Sequence, residues 1–242
     1  MNIKTKSWIY SLPIIGLLLI FASCSKKTDS NSNPSPLPIP TAVTDIDGNI
    51  YHTITIGTQV WLIENLKTTK LNDGTLIQIV TNSSAWNNLT TPGYCWYNND
   101  SPTYKTAYGA LYNWHAVNSG KLAPAGWHVP TNAELTTLTT YLGGEEIAGG
   151  KMKSTGTIES GTGIWHSPNT DATNESGFTA IPAGSRSTTG LYGTSGSSGS
   201  FWSSSEDGTY NALCRTLSWF SRSVHRTGED KNNGYSVRCI RN

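Results

Sequence analysis

The sequence predicts an α+β domain in which two short helices are followed by loops and antiparallel strands. Three observations carry that expectation. The chain holds 28 Ser, 32 Thr and 20 Asn, so 80 of its 242 residues are small and uncharged-polar, a balance that suits loop-rich β structure. Helical spacing of apolar residues is confined to 108–117 and 131–142, and beyond Gly149 the pattern turns to strand-like runs separated by turn residues. Charged residues are only 14% of the chain, and 17 Lys+Arg against 16 Asp+Glu leave a formal charge of +1. With no basic excess to neutralise phosphates, nucleic acid is not expected as a partner.

The N-terminus gives an address. Lys4 and Lys6 precede an apolar run from Trp8 to Ala22, too short to span a bilayer comfortably but suited to a secretory signal. It ends at Phe21-Ala22-Ser23-Cys24, which resembles a bacterial lipobox with Phe21 where Leu is usual. The expectation is a signal peptide over 1–23, with Cys24 as the lipidated first residue of the mature chain. Ser25 to Thr41 carries Pro34, Pro36, Pro38 and Pro40, a composition that favours polyproline II and cannot bury apolar surface. Residues 24–41 therefore read as a lipidated tether and 42–242 as one water-exposed domain, held to the cell envelope by lipid.

Along that domain, Asp45-Ile46-Asp47-Gly48-Asn49 is turn chemistry; it lacks the later Glu of a calcium loop. Tyr51–Ile56 and Gln59–Ile63, joined by Gly57-Thr58, predict a hairpin. Tyr108–Val117 predicts a short helix. Thr131-Asn132-Ala133-Glu134 is a capping box, followed by the Leu135, Leu138, Leu142 stripe and the Gly143-Gly144 stop. Glu145-Glu146 reads as a solvated helix end. Gly184–Ser200, 14 of 17 residues Gly, Ser or Thr, reads as a mobile surface loop or a binding segment. Phe201-Trp202, Ala212–Trp219 and Tyr235–Ile240 predict three closing strands.

The motifs of catalysis and metal binding are missing: there is no C-x-x-C, zinc spacing or H-E-x-x-H, and the near-misses to a phosphate loop and a nucleophile elbow fail at required positions. No cofactor and no metal are expected. Once Cys24 is set aside, Cys95, Cys214 and Cys239 remain, of which two would pair in an oxidising compartment. The tryptophans Trp86, Trp96, Trp127, Trp165 and Trp202 lie among Asn, Ser, Asp and Gly. Exposed, such indoles stack on sugar rings; buried, they fill the core of a domain poor in Leu and Phe.

Eight phrases occur in order across nearly the whole mature domain. They are Asp47-Gly48-Asn49-x-Tyr51, Ile56-Gly57-x-Gln59-x-Trp61-x-x-Glu64-Asn65-Leu66, Tyr94-Cys95-Trp96-Tyr97-Asn98-Asn99-Asp100, Tyr108-Gly109-x-Leu111-Tyr112-Asn113-Trp114, Pro124-x-Gly126-Trp127-His128-Val129-Pro130-Thr131, Gly177-Phe178-x-Ala180-x-Pro182-x-Gly184-x-Arg186, Phe201-Trp202-Ser203-Ser204-Ser205-Glu206 and Gly234-Tyr235-Ser236-Val237-Arg238-Cys239. In these the chain resembles the Fibrobacter succinogenes major paralogous domain family, known from envelope lipoproteins. The resemblance implies a C-type lectin-like α+β fold, two helices packed on small antiparallel sheets, with a distant likeness to sulfatase-modifying-factor folds.

It also implies an outer-membrane lipoprotein, surface exposed or periplasmic. Cys95 and Cys239 fall in matching phrases, so the resemblance implies that they pair, for a gain on the order of 4 kcal/mol; Cys214 with Cys239 stays open as the alternative. The binding reading places a glycan or a neighbouring surface protein at Trp165, Arg186, Trp202 and Glu206. A coat or adhesion component without a small ligand is the alternative. No enzyme is expected, because Cys214 and Cys239 lie 25 positions apart instead of forming the close pair of the formylglycine-generating branch.

Overall fold

The computed structural model describes residues 41–242. The leader, Cys24 and the Pro-rich tether lie outside the described residues, save Thr41. In chain order the elements are β1 (Ala42–Thr44), β2 (Ile50–Ile56), β3 (Gln59–Leu62), β4 (Gln78–Ile79), α1 (Ser83–Asn87), β5 (Gly93–Cys95), α2 (Ser101–Tyr108), β6 (Leu111–Tyr112) and α3 (Trp114–Asn118). They continue with β7 (Trp127–His128), α4 (Asn132–Tyr141), α5 (Glu145–Met152), β8 (Ser185–Arg186), β9 (Tyr192–Gly193), β10 (Ser198–Asp207), β11 (Asn211–Ser218), β12 (Val224–Asp230) and β13 (Ile240–Arg241). The sheets run β1-β2-β3-β13-β7, β10-β11-β12, β4-β5-β6 and β8-β9, and only β4 with β5 is parallel. The domain is thus α+β, with small sheets and short helices. None of the described helices is long and apolar enough to cross a membrane.

Local chemistry accounts for the early elements. Asp45 Oδ1 accepts from the amides of Asp47 and Asn49, while its Oδ2 accepts the Tyr51 hydroxyl at 2.7 Å. This carboxylate-closed turn delivers the chain into β2. Gly57, at φ 61°, makes the two-residue turn of the β2–β3 hairpin. The capping box forms as expected: Thr131 Oγ1 accepts from the Glu134 amide and Glu134 Oε2 accepts from the Thr131 amide at 2.7 Å. Gly143 and Gly144, both at positive φ, end α4.

Three expectations are corrected. The helix expected over 108–117 is instead the end of α2, a strand and the one-turn α3. The break falls at Gly109 (φ 78°), where a Cβ would sit 2.7 Å from the Leu66 carbonyl oxygen. Asn113 then caps α3, its side chain accepting from the Ala116 amide. Glu145 and Glu146 do not close α4; they open α5, where carboxylates are favoured by the helix dipole. The third closing strand is β12, whose charged, exposed sequence gave no apolar signal. Tyr235–Cys239 instead bridges Tyr112 and Phe201 through single pairs and delivers β13 between β3 and β7.

The core lies in two main apolar clusters, and strands with both faces covered divide them. In β10 Phe201 enters one cluster and Trp202 the other; in β3 Trp61 and Leu62 do the same. Successive strand side chains point to opposite faces, so each strand serves both clusters. Trp61, Phe178 and Phe201 meet edge to face at 5.7 and 5.8 Å.

Candidate functional site

Four residues were expected to meet a ligand, and three of them are buried in different parts of the core. Trp165 is 0% exposed; its Nε1 donates to the Ala180 carbonyl, and the Lys153 ammonium lies 5.5 Å from its ring. Trp202, equally buried, donates to the Tyr112 carbonyl and packs on Tyr235 at 4.7 Å. Arg186 donates to the carbonyls of Val80, Thr81 and Gly190, sandwiched between the rings of Trp86 at 4.5 Å and Tyr192 at 4.9 Å. Only Glu206 is exposed, where it pairs with Lys231 at 2.9 Å. Small polar neighbours mark these rings because they let backbone approach, not because solvent does. A Cβ at Gly184, for instance, would lie 2.7 Å from Tyr97 Cε2. The Gly/Ser/Thr-rich stretch is for this reason packed structure, the β8–β9 hairpin and the start of β10.

Arg186 belongs to a recurring device. Arg238 donates to the carbonyls of Leu62, Phe178 and Thr179 and to Asn65 Oδ1, with its guanidinium 4.7 Å from the Phe178 ring. Lys153, 0% exposed, donates to the carbonyls of Thr170, Ser218 and Ser221. Burial pushes its ammonium down to about 8, against the pull of Asp171. Three buried cations thus tie loops together through backbone oxygens instead of carboxylates.

The bridge expected between Cys95 and Cys239 is not formed. Cys95, Cys214 and Cys239 are all buried free thiols. Cys95 packs with Trp86 and Leu111, whereas Cys239 sits in the cluster of Trp202 and Val237, so each fills a separate apolar site. Burial pushes all three thiols above their ordinary value. Three histidines each pair with one carboxylate, His52 with Glu64, His128 with Glu134 and His166 with Glu159. Burial raises Glu134, but the Thr131 and His128 hydrogen bonds outweigh it and hold the carboxyl below its ordinary value. Among the described residues no three His, Cys, Asp or Glu converge as a metal group.

What the sequence reading missed is a row of tyrosines. Tyr192 meets Tyr97 at 5.4 Å, Tyr97 meets Tyr104 at 4.9 Å, and Tyr104 meets Tyr108 at 5.1 Å, with ring planes tilted by 42–60°. All four are half-buried. Tyr104 and Tyr108 sit one turn apart on α2, which starts where Asp100 accepts from the Thr103 amide. Tyr97 stands in a turn whose next residues, Asn98 and Asn99, have φ of 52° and 57°. The Tyr192 hydroxyl donates to Asn99 Oδ1 at 2.7 Å, whereas the hydroxyls of Tyr104 and Tyr108 and the amide of Asn98 have no partner within the described residues. Burial lifts the phenols of Tyr97, Tyr108 and Tyr192, so they remain neutral donors at physiological pH. The i, i+4 pair in α2 was the one sequence signal for this face.

Fold and site together define a class: a small-sheet α+β domain built on buried tryptophans and carbonyl-bound cations, carrying an aromatic, amide-rich strip on its surface. The chain belongs to the Fibrobacter succinogenes major domain family, whose model matches residues 54–241. Comparison with curated proteins and with solved structures gave no match.

Proposed function

We propose that this protein is a non-catalytic binding domain, held to the outer membrane by lipid on Cys24, which contacts polysaccharide through the Tyr192–Tyr97–Tyr104–Tyr108 row. The tyrosine row carries the reading. Its half-exposed rings offer C–H stacking surface, and two free hydroxyls with the Asn98 amide offer hydrogen bonds at their side, the combination a sugar chain uses. The high thiol pKa values support a non-catalytic role, since the thiolate is the reactive form. The leader sequence and lipobox support the anchor. Two further features support a C-type lectin-like arrangement: the C-terminal β13 pairs with the early β3, and helices pack on small sheets.

A second reading, a coat or adhesion component that meets a neighbouring surface protein, draws on a separate feature. Phe220 is 65% exposed and packs edge to face on Trp219, so a large apolar ring stands in solvent. Affinity electrophoresis of the mature chain through gels containing soluble polysaccharides, with and without calcium, tests the first reading. Retardation that disappears in Tyr104→Ala is the expected result; equal mobility of both proteins in every gel refutes it.

A further inference from the structure

A cavity of about 240 Å³ opens beside α2, away from the face that Tyr104 and Tyr108 share. Its apolar walls include Ile63, Ala107 and Ile181, and its polar groups include Glu64, Thr179 and Arg238. Arg238 is 1% exposed. Its guanidinium has five N–H groups. Nε donates to Asn65 Oδ1, Nη1 to the Leu62 and Phe178 carbonyls, and Nη2 to the Thr179 carbonyl. One N–H of Nη2 is therefore without an acceptor among the described residues, and Arg238 and its partner Thr179 both line the cavity. Glu64 accepts from the His52 amide and from His52 Nδ1, both at 2.7 Å. A carboxylate has about four lone-pair sites, so acceptor capacity remains.

One charge-assisted donor and one charge-assisted acceptor thus line a space whose other walls mix Ile63, Ala107 and Ile181 with Asn65, Thr106 and Thr179. The two charges oppose, so a ligand of net charge gains from one and is repelled by the other. A purely apolar ligand would strip water from the solvated Glu64 carboxylate, leave the spare Arg238 N–H unpaired and return nothing. The space is smaller than the roughly 300 Å³ at which pockets for drug-sized molecules begin, so it admits one ring.

Resting on the reading of the domain as a glycan binder, we infer that this cavity is a second carbohydrate subsite that takes a single neutral pyranose. One hydroxyl of a vicinal pair donates to Glu64 and its neighbour accepts from Arg238. The C–H face of the ring lies on Ile63, Ala107 and Ile181.

The test is calorimetric titration of the mature full chain, in a detergent without a sugar headgroup, with glucose, galactose, mannose, xylose and N-acetylglucosamine. Saturable binding of at least one is expected. Ala107→Phe fills the cavity from an exposed helix position and should weaken that binding at least about tenfold. Glu64→Gln, which keeps the volume and removes the charge, should weaken it by a factor on the order of ten. Silence with all five sugars, or unchanged affinity in Ala107→Phe, overturns the inference. Retention in polysaccharide gels depends on Tyr104 and is read separately. A silent calorimeter with a retarded wild-type band sinks the cavity alone; a monosaccharide signal without retardation sinks the tyrosine face alone.

Discussion

Arg186→Met separates a structural arginine from a ligand-contacting one. Methionine keeps an apolar stem between Trp86 and Tyr192 but removes the guanidinium, leaving the carbonyls of Val80, Thr81 and Gly190 without its donors. The buried Val80 carbonyl is left unpaired, at about 1–3 kcal/mol, while Thr81 keeps Asn99 and Gly190 keeps Ser83 as donors; loss of the cation–π contacts with the two rings adds about 2 kcal/mol each. Part of the sum is returned, because a fully buried charge no longer has to be desolvated. The net expectation is about 3–5 kcal/mol of lost stability. For a domain of this size each kcal/mol moves the midpoint by about 2–4 °C, so thermal unfolding followed by circular dichroism should fall by roughly 6–20 °C. Arg186→Lys, whose single ammonium lacks the guanidinium fork, should lie between. A midpoint for Arg186→Met within about 2 °C of the wild type, accompanied by loss of polysaccharide retention, would refute the structural assignment and return Arg186 to the binding face.

Lys153 makes stability depend on alkaline pH. Its folded value of about 8 lies below the ordinary 10.5, so between those values the unfolded chain binds more protons and stability rises with pH. The cost of the buried charge is fully present below pH 8 and is relieved above it, by at most about 3 kcal/mol. Ionisation of the three buried thiols in the unfolded chain lowers both profiles alike over this range, so urea unfolding at pH 7, 8, 9 and 10 should show the wild type gaining on Lys153→Met as pH rises; parallel profiles would contradict it. Thiol titration under non-reducing conditions should find three unreactive thiols in the native domain beginning at residue 42 and three reactive ones in denaturant. A single reactive thiol after denaturation would restore a disulfide.

Much of the local structure was legible because it is written in short-range chemistry. The Gly57 turn, the Thr131–Glu134 box and the Gly143-Gly144 stop depend on neighbours within a few positions. The segment 108–117 failed because helical spacing survives in sequence even where Gly109 must turn against Leu66, a contact 43 positions away. β12 was invisible because an edge strand of exposed charged residues carries no alternation. The candidate site failed for a related reason. Arg186 and Trp202 stand among Ser and Gly in the very phrases that mark the family, Trp165 follows Gly161 and Gly163 outside them, and such small residues serve close backbone packing. The same phrases contain Tyr97 and Tyr108, but a row assembled from α2, a turn and the β8–β9 hairpin has no continuous trace in the chain.

Hydrogen-exchange footprinting of the mature chain, with and without a polysaccharide that retards it, tests the assignment of the binding face most directly. Protection concentrated in peptides covering 97–108 and 192–195 is the expected result. Protection confined to the Trp219–Phe220 surface, or no ligand-dependent protection anywhere, would contradict it.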